Sequence, residues 1–188
     1  MSLILIGINH KTADISLREK VAFPPEIVSD ALIDIRSLTD ISEVVLLSTC
    51  NRTELYIETT GDESLSDKLG NYAKKSLDQE KVKDVVSWLA GFHDLESSEL
   101  ERSVYSFSGM NVVRHLMKVS CGLDSLVLGE PQILGQIKSA FALAKDLKTV
   151  GPSLNRAFIA AFSIAKKVRT DTAIGENPVS VAYAATVL

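Results

Sequence analysis

Every strand-like apolar run in this chain lies before residue 108, and most of the apolar positions after it carry helical spacing. Leu3–Ile8 is a nearly continuous apolar stretch closed by Gly7 and the polar turn Asn9-His10-Lys11-Thr12, the pattern of a buried strand. Glu43–Leu47, Leu55–Thr59 and Arg102–Phe107 read as three further strands. Between them, Ser16 with Glu19 forms a capping box for a short helix that stops before Pro24-Pro25. Ile27, Val28, Ala31, Leu32 and Ile35 space a helix from Pro25 to about Leu38, and 64–77 and 80–90 are helical. Later segments change character: a helix over Asn111–Cys121, an apolar loop framed by Gly122 and Gly129, and a helix opened by Pro131 that runs to about Leu147. Gly151-Pro152-Ser153 breaks the chain, and Ser153 caps a helix with a narrow stripe at Leu154, Phe158, Ala161, Ala165 and Val168. The expectation is an α+β fold, a small antiparallel-rich sheet with flanking helices over roughly 105 residues, followed by helices. Asn177-Pro178 reads as the cap of a last helix, Val179–Leu188, apolar to its final residue and expected to lead into another domain.

Composition narrows the function classes. At 46% hydrophobic and 23% charged, the 188 residues can build a core, which excludes disorder as the main description. No apolar run approaches the roughly 18 residues that span a bilayer. Residues 1–8 lack a basic lead and a small-residue cleavage site, so they read as a strand and not as a signal peptide. Two cysteines, Cys50 and Cys121, speak against a disulfide framework and for a reducing, cytoplasmic setting. Charge is segregated: residues 1–102 sum to −8 and residues 103–188 to +4. The acidic part is a poor general nucleic-acid binder. The basic part (Lys138, Lys145, Lys148, Arg156, Lys166, Lys167, Arg169) offers a local footprint for an anionic partner, or simply a solvated helix face.

Three places could carry chemistry. Cys50 stands in the polar hexapeptide Ser48–Thr53 between two apolar strands, a tight polar bend or a distorted continuous strand. A thiolate is the reactive form, and a cation such as Arg52 favours it; Arg52 could instead clamp a carboxylate through two parallel hydrogen bonds. Taken alone, a single cysteine is more readily structural or incidental than nucleophilic. His115 falls on the more polar side of its helix with Asn111 and Lys118, where a ring turned away from the core could act as a general acid or base, or do nothing. Gln132 and Gln136, four apart beside the glycine-framed loop, could read a small polar ligand by hydrogen bonds, or face solvent. Cys121 reads as a small buried hydrophobe. The cysteines and histidines lack metal-site spacing, and no G-x-G-x-x-G phosphate loop occurs.

Four blocks taken together resemble the glutamyl-tRNA reductase family: Gly7–Thr12, Leu47–Tyr56, Gly122–Gln136, and Val168–Thr172 with Val179–Ala182. The resemblance runs in order from residue 4 to the end. It implies a ferredoxin-like catalytic domain over residues 1–150, with 151–188 a helical linker and the start of an NADPH-binding domain. It implies NADPH-dependent reduction of glutamyl-tRNA(Glu) to glutamate-1-semialdehyde, the first step of the C5 route to tetrapyrroles. By resemblance Cys50 is the nucleophile that forms a thioester, and His115 assists proton movement. Thr49, Cys50, Asn51, Arg52, Ser125, Glu130, Pro131, Gln132 and Gln136 match substrate-binding positions, with Arg52 taking the side-chain carboxylate. Glu54 falls in a matched block and is expected only to orient its neighbours. No cofactor-binding residue is expected within these 188 residues, and no metal. The implied partners are charged tRNA, a second copy in a V-shaped homodimer, and glutamate-1-semialdehyde aminomutase, with no membrane. The alternative is a non-catalytic amino-acid- or tRNA-binding module.

Overall fold

The computed structural model describes residues 2–38, 40–60 and 63–175, apart from the side chains of 63–77 and 175. The expected helix Val179–Leu188 and its Asn177-Pro178 cap lie outside these residues. Four strands, β1 (Ser2–Asn9), β2 (Ile41–Thr49), β3 (Arg52–Thr59) and β4 (Tyr105–Ser108), form one sheet in the order β2-β3-β1-β4, all neighbours antiparallel. β1 and β2 therefore run parallel with β3 between them, and β3 and β4 run parallel with β1 between them. This doubled split β–α–β topology is the ferredoxin-like arrangement.

One face of the sheet is covered by α1 (Ile15–Lys20), α2 (Pro25–Arg36) and α3 (Glu63–Phe92). The other is covered by α5 (Met110–Ser120), α6 (Gln132–Asp146) and α7 (Pro152–Asp171). The later helices thus return to the sheet. Leu154, Ala157, Phe158 and Ala161 of α7 belong to the same buried cluster as the strands, with the Phe158 ring 5.3 Å from Tyr56 and 5.1 Å from Phe141. With both faces covered, all eight residues of β3 are buried, including Arg52, Glu54 and Glu58. Buried charges must be paired to survive, so this central strand has to bring its partners with it.

Local signals held with shifts of detail. The first helix takes Asp14 as its cap, whose side chain accepts from Leu17 N at 2.8 Å; the Ser16–Glu19 box does not form it. The two helices expected over 64–77 and 80–90 are one, α3. The fourth strand starts at Tyr105 and not at Arg102. A short helix α4 (Ser97–Leu100) with its own capping box precedes it. α7 is capped by Glu43 from β2, which accepts from Ser153 N at 3.0 Å and Leu154 N at 2.7 Å, so Ser153 is a recipient of the cap and not its source.

Candidate active site

β2 and β3 are joined by two residues, Cys50 and Asn51, with Thr49 paired to Arg52. The polar bend is therefore a tight hairpin. Two-residue hairpins favour turns with positive φ, yet neither Cys50 nor Asn51 has one. Outside support replaces that preference. Thr49 Oγ1 accepts from Asn51 N (3.2 Å) and Arg52 N (3.1 Å). Arg18 of α1 donates to Cys50 O (2.7 Å) and Asn51 Oδ1 (3.2 Å), and His10 N donates to Asn51 O (3.0 Å). The thiol is thereby presented on a fixed turn, exposed to solvent, and the concern that a lone cysteine might be core filler does not apply. Cys121 is the buried one, its thiol pushed up by burial.

Beside the turn lies a small cleft of about 30 Å³ lined by Thr49, Cys50, Asn51, Arg52, Ser125, Glu130, Gln132, Ile133 and Gln136. Three separate segments build it: the β2–β3 turn, the loop after α5, and the first turns of α6. Pro131 is exposed next to it and caps α6. Gln132 and Gln136 are exposed on the cleft side of α6. A larger cavity, about 1420 Å³ between β1, β4 and α3, holds none of these residues.

Behind the cleft, alternate residues of β3 face α5–α7. Arg52 is 2% exposed. Its Nη1 donates to Glu54 Oε1 at 2.7 Å, and its Nη2 donates to Asp124 O at 2.5 Å and Asp124 Oδ2 at 3.1 Å. Glu54 also accepts from Tyr56 OH (2.5 Å), from Tyr105 OH and from His115 Nε2 (2.8 Å). Burial alone would raise the Glu54 carboxyl; the His115 hydrogen bond and the Arg52 charge overcome it and hold it down at about 2. Burial likewise opposes the Arg52 charge, and Glu54 more than restores it. Burial and the Glu54 charge push both phenols up, so Tyr56 and Tyr105 remain donors. Gly7, opposite Glu54 on β1, makes room for this cluster: a Cβ there would lie 2.8 Å from the Tyr105 ring and 2.9 Å from Glu54 Cγ.

His115 is therefore not on an outward face. Its ring is buried between Glu54, Tyr105 and Phe107, and it does not line the cleft. The residues that sequence reasoning missed are Arg18, Lys11, His10 and Asp124. Burial, then the Arg52 and Lys11 charges, lower the His10 imidazole from its ordinary value. Burial would raise the Asp124 carboxyl, and the Lys11 hydrogen bond with the Arg52 charge lowers it on balance. A glycine-free loop after β1 and a charge pair 113 residues apart leave no local pattern to read. Among the described residues, the buried side-chain polar atoms without a partner include His10 Nδ1, Arg18 Nε and Ser125 Oγ, all on residues around this turn and cleft.

A solvent-facing thiol on a braced turn, with a cleft of amides, a hydroxyl and a guanidinium beside it, defines an α+β domain with an exposed thiol at a polar cleft. Its relatives narrow the class. The family described as Glutamyl-tRNAGlu reductase, N-terminal domain, matches residues 6–172. A glutamyl-tRNA reductase of Ectopseudomonas mendocina is 52% identical over 185 residues, which cover 98% of this chain and 39% of that protein. One of Pseudomonas putida is 53% identical over 185 residues, with the same coverage of 98% and 39%. The solved glutamyl-tRNA reductase from Methanopyrus kandleri aligns with a TM-score of 0.70 at 30% identity, over 98% of this chain and 38% of that one. The chain belongs to the glutamyl-tRNA reductase family, as its N-terminal domain, and spans about 39% of the length of these curated relatives.

Proposed function

We propose that this domain performs the thiol half of glutamyl-tRNA reduction. Cys50 Sγ, as thiolate, attacks the ester carbonyl of glutamyl-tRNA; the C–O bond to the terminal ribose breaks, the departing ribose oxygen takes a proton from water, and glutamate remains as a thioester. Thr49 and Asn51 fix the turn. Ser125, Glu130, Gln132 and Gln136, with the neighbouring Pro131, line the side where the glutamyl group is held, and Arg52 receives its carboxylate. His115 acts from behind as a positioning residue: by holding Glu54 it orients Arg52, and it lies too deep to touch the substrate. The observation that carries this reading is the meeting of an exposed Cys50 with residues of three distant segments in one cleft, rimmed by unpartnered polar atoms.

Reduction of the thioester needs a hydride donor, NADPH by the family resemblance. The described residues do not fit that group: all neighbouring strands are antiparallel, and the loop after β1, Asn9–Thr12, has no glycine to cradle a pyrophosphate. No reduction step is assigned to them. In this reading residues 1–150 form the catalytic unit and 151–188 lead towards the NADPH-binding domain of a cytoplasmic homodimer. Glutamate-1-semialdehyde aminomutase would receive the product.

The test is intact and peptide mass of the chain after mixing with glutamyl-tRNA(Glu). The expected result is a glutamyl adduct on Cys50 and none in Cys50→Ser. An intact wild-type protein that binds charged tRNA without ever forming the adduct would establish the non-catalytic binding module instead.

A further inference from the structure

Arg52, assigned above to the substrate carboxylate, already has a carboxylate on it. Asp124 gives it both a backbone oxygen at 2.5 Å and Oδ2 at 3.1 Å, while Asp124 Oδ1 pairs with Lys11 Nζ. The cleft beside them, at about 30 Å³, has room for about two waters. A glutamyl group needs more room than this. The wall that must yield is the loop Gly122–Glu130. Its neck is closed by Gly129 N donating to Gly122 O at 3.0 Å, and both glycines sit at positive φ, +76° and +78°. Such torsions are ones that only glycine adopts at little cost, so both ends of the loop depend on glycine. Between them, among the described residues, Asp124 makes the loop's ion pairs to the rest of the domain. Ser125, the next residue, buries its Oγ without a partner at the cleft wall.

We propose that Asp124 is a positioning and specificity-determining residue that stands in for the substrate's carboxylate on Arg52. With the loop closed it neutralises the outer edge of the guanidinium. An incoming glutamyl carboxylate replaces it there, Asp124 turns away from the guanidinium, and the cleft widens to expose Ser125 Oγ. Charge is conserved in the exchange, one carboxylate for another on a buried cation, so it proceeds only for an acidic side chain. An uncharged amide of the same shape would leave the outer edge of Arg52 without its anion, a loss that buried charges do not tolerate cheaply. The inference rests on the reading of Arg52 as the carboxylate receiver.

The test uses glutarate, a dicarboxylate of the length of the glutamyl chain, as a shield for Cys50 against iodoacetamide, with alkylation read by mass on the Cys50 peptide. In Asp124→Asn the concentration giving half-protection should fall at least tenfold relative to wild type. Asp124→Glu, which restores the charge, should return it towards the wild-type value, and glutaramide should protect neither. Asp124→Ser replaces Asp124→Asn where thermal melting shows the latter unfolded. Equal half-protection in wild type and in the folded neutral variant, with a glutamyl adduct still forming on wild-type Cys50, overturns the role of Asp124 alone. Absence of glutarate protection in every variant, together with absence of the adduct, overturns the substrate reading beneath it.

Discussion

Glu54 receives hydrogen bonds from Arg52, Tyr56, Tyr105 and His115 and has no exposed surface of its own. Its carboxylate is thus the centre on which the charge state of the cleft's back wall depends. Glu54→Gln leaves Arg52 buried with its inner counter-charge gone, and the expected cost is about 3–5 kcal/mol at pH 7 by urea unfolding. The pH dependence follows from the direction of the shift. The folded-state value is depressed from 4.5 to about 2, so the unfolded chain binds the proton first as pH falls. Stability from this group is complete above the unfolded value, and declines as pH drops from about 5 towards 2. The gap between wild type and Glu54→Gln should therefore narrow across that window; a gap that stays constant would contradict the assignment. In the sequence Glu54 is one acidic residue in a strand-like run, and nothing at that level distinguishes it from a solvent-facing one. Cys50 differs: its polar neighbours in an otherwise apolar context marked it before any coordinates did.

At the scale of elements, the hairpin turn is held by groups from outside it. Arg18 of α1 bridges Cys50 O and Asn51 Oδ1, and this explains why a turn without positive φ keeps one shape. Arg18→Ala is expected to leave the fold intact, at a cost of about 1–3 kcal/mol in thermal or urea unfolding. The rate of Cys50 acylation by glutamyl-tRNA should fall about tenfold or more, because small displacements of a nucleophile are expensive. Unchanged acylation in a folded Arg18→Ala would show that the turn holds itself. The periodicity of the sequence located most of the elements described, since strand and helix patterns depend on neighbours within a few residues. It failed where the partner is distant. The cap of α7 comes from Glu43, some 110 residues earlier, and Asp14 outcompetes the Ser16–Glu19 box at α1. His115 was misplaced for the same reason: its helix looks polar on that side only until Glu54, Tyr105 and Phe107 are set against it.

For the whole molecule, covering both faces of the sheet turns β3 into an interior strand and turns its alternate polar residues into the back wall of a site. α5–α7 supply that cover, and their exposed side carries Lys138, Lys145, Arg156, Lys166 and Lys167, with Lys148 exposed in the connection between α6 and α7, consistent with the charge segregation read from the chain. From the proposed function, the 188-residue chain mixed with glutamyl-tRNA(Glu) and NADPH is expected to release tRNA without oxidising NADPH. A steady loss of NADPH absorbance dependent on charged tRNA would refute this. The sequence by itself determined the α+β class, the order of most of the elements and the family, because each rests on short-range pattern or on ordered motifs. Only the tertiary structure decided that Arg52 is already neutralised, that Glu54 joins four side chains, and that Asp124 pairs with both Arg52 and Lys11. Those facts are set by contacts between groups up to 113 residues apart, where the choice among many charged partners is made by packing and burial and leaves no trace in local spacing.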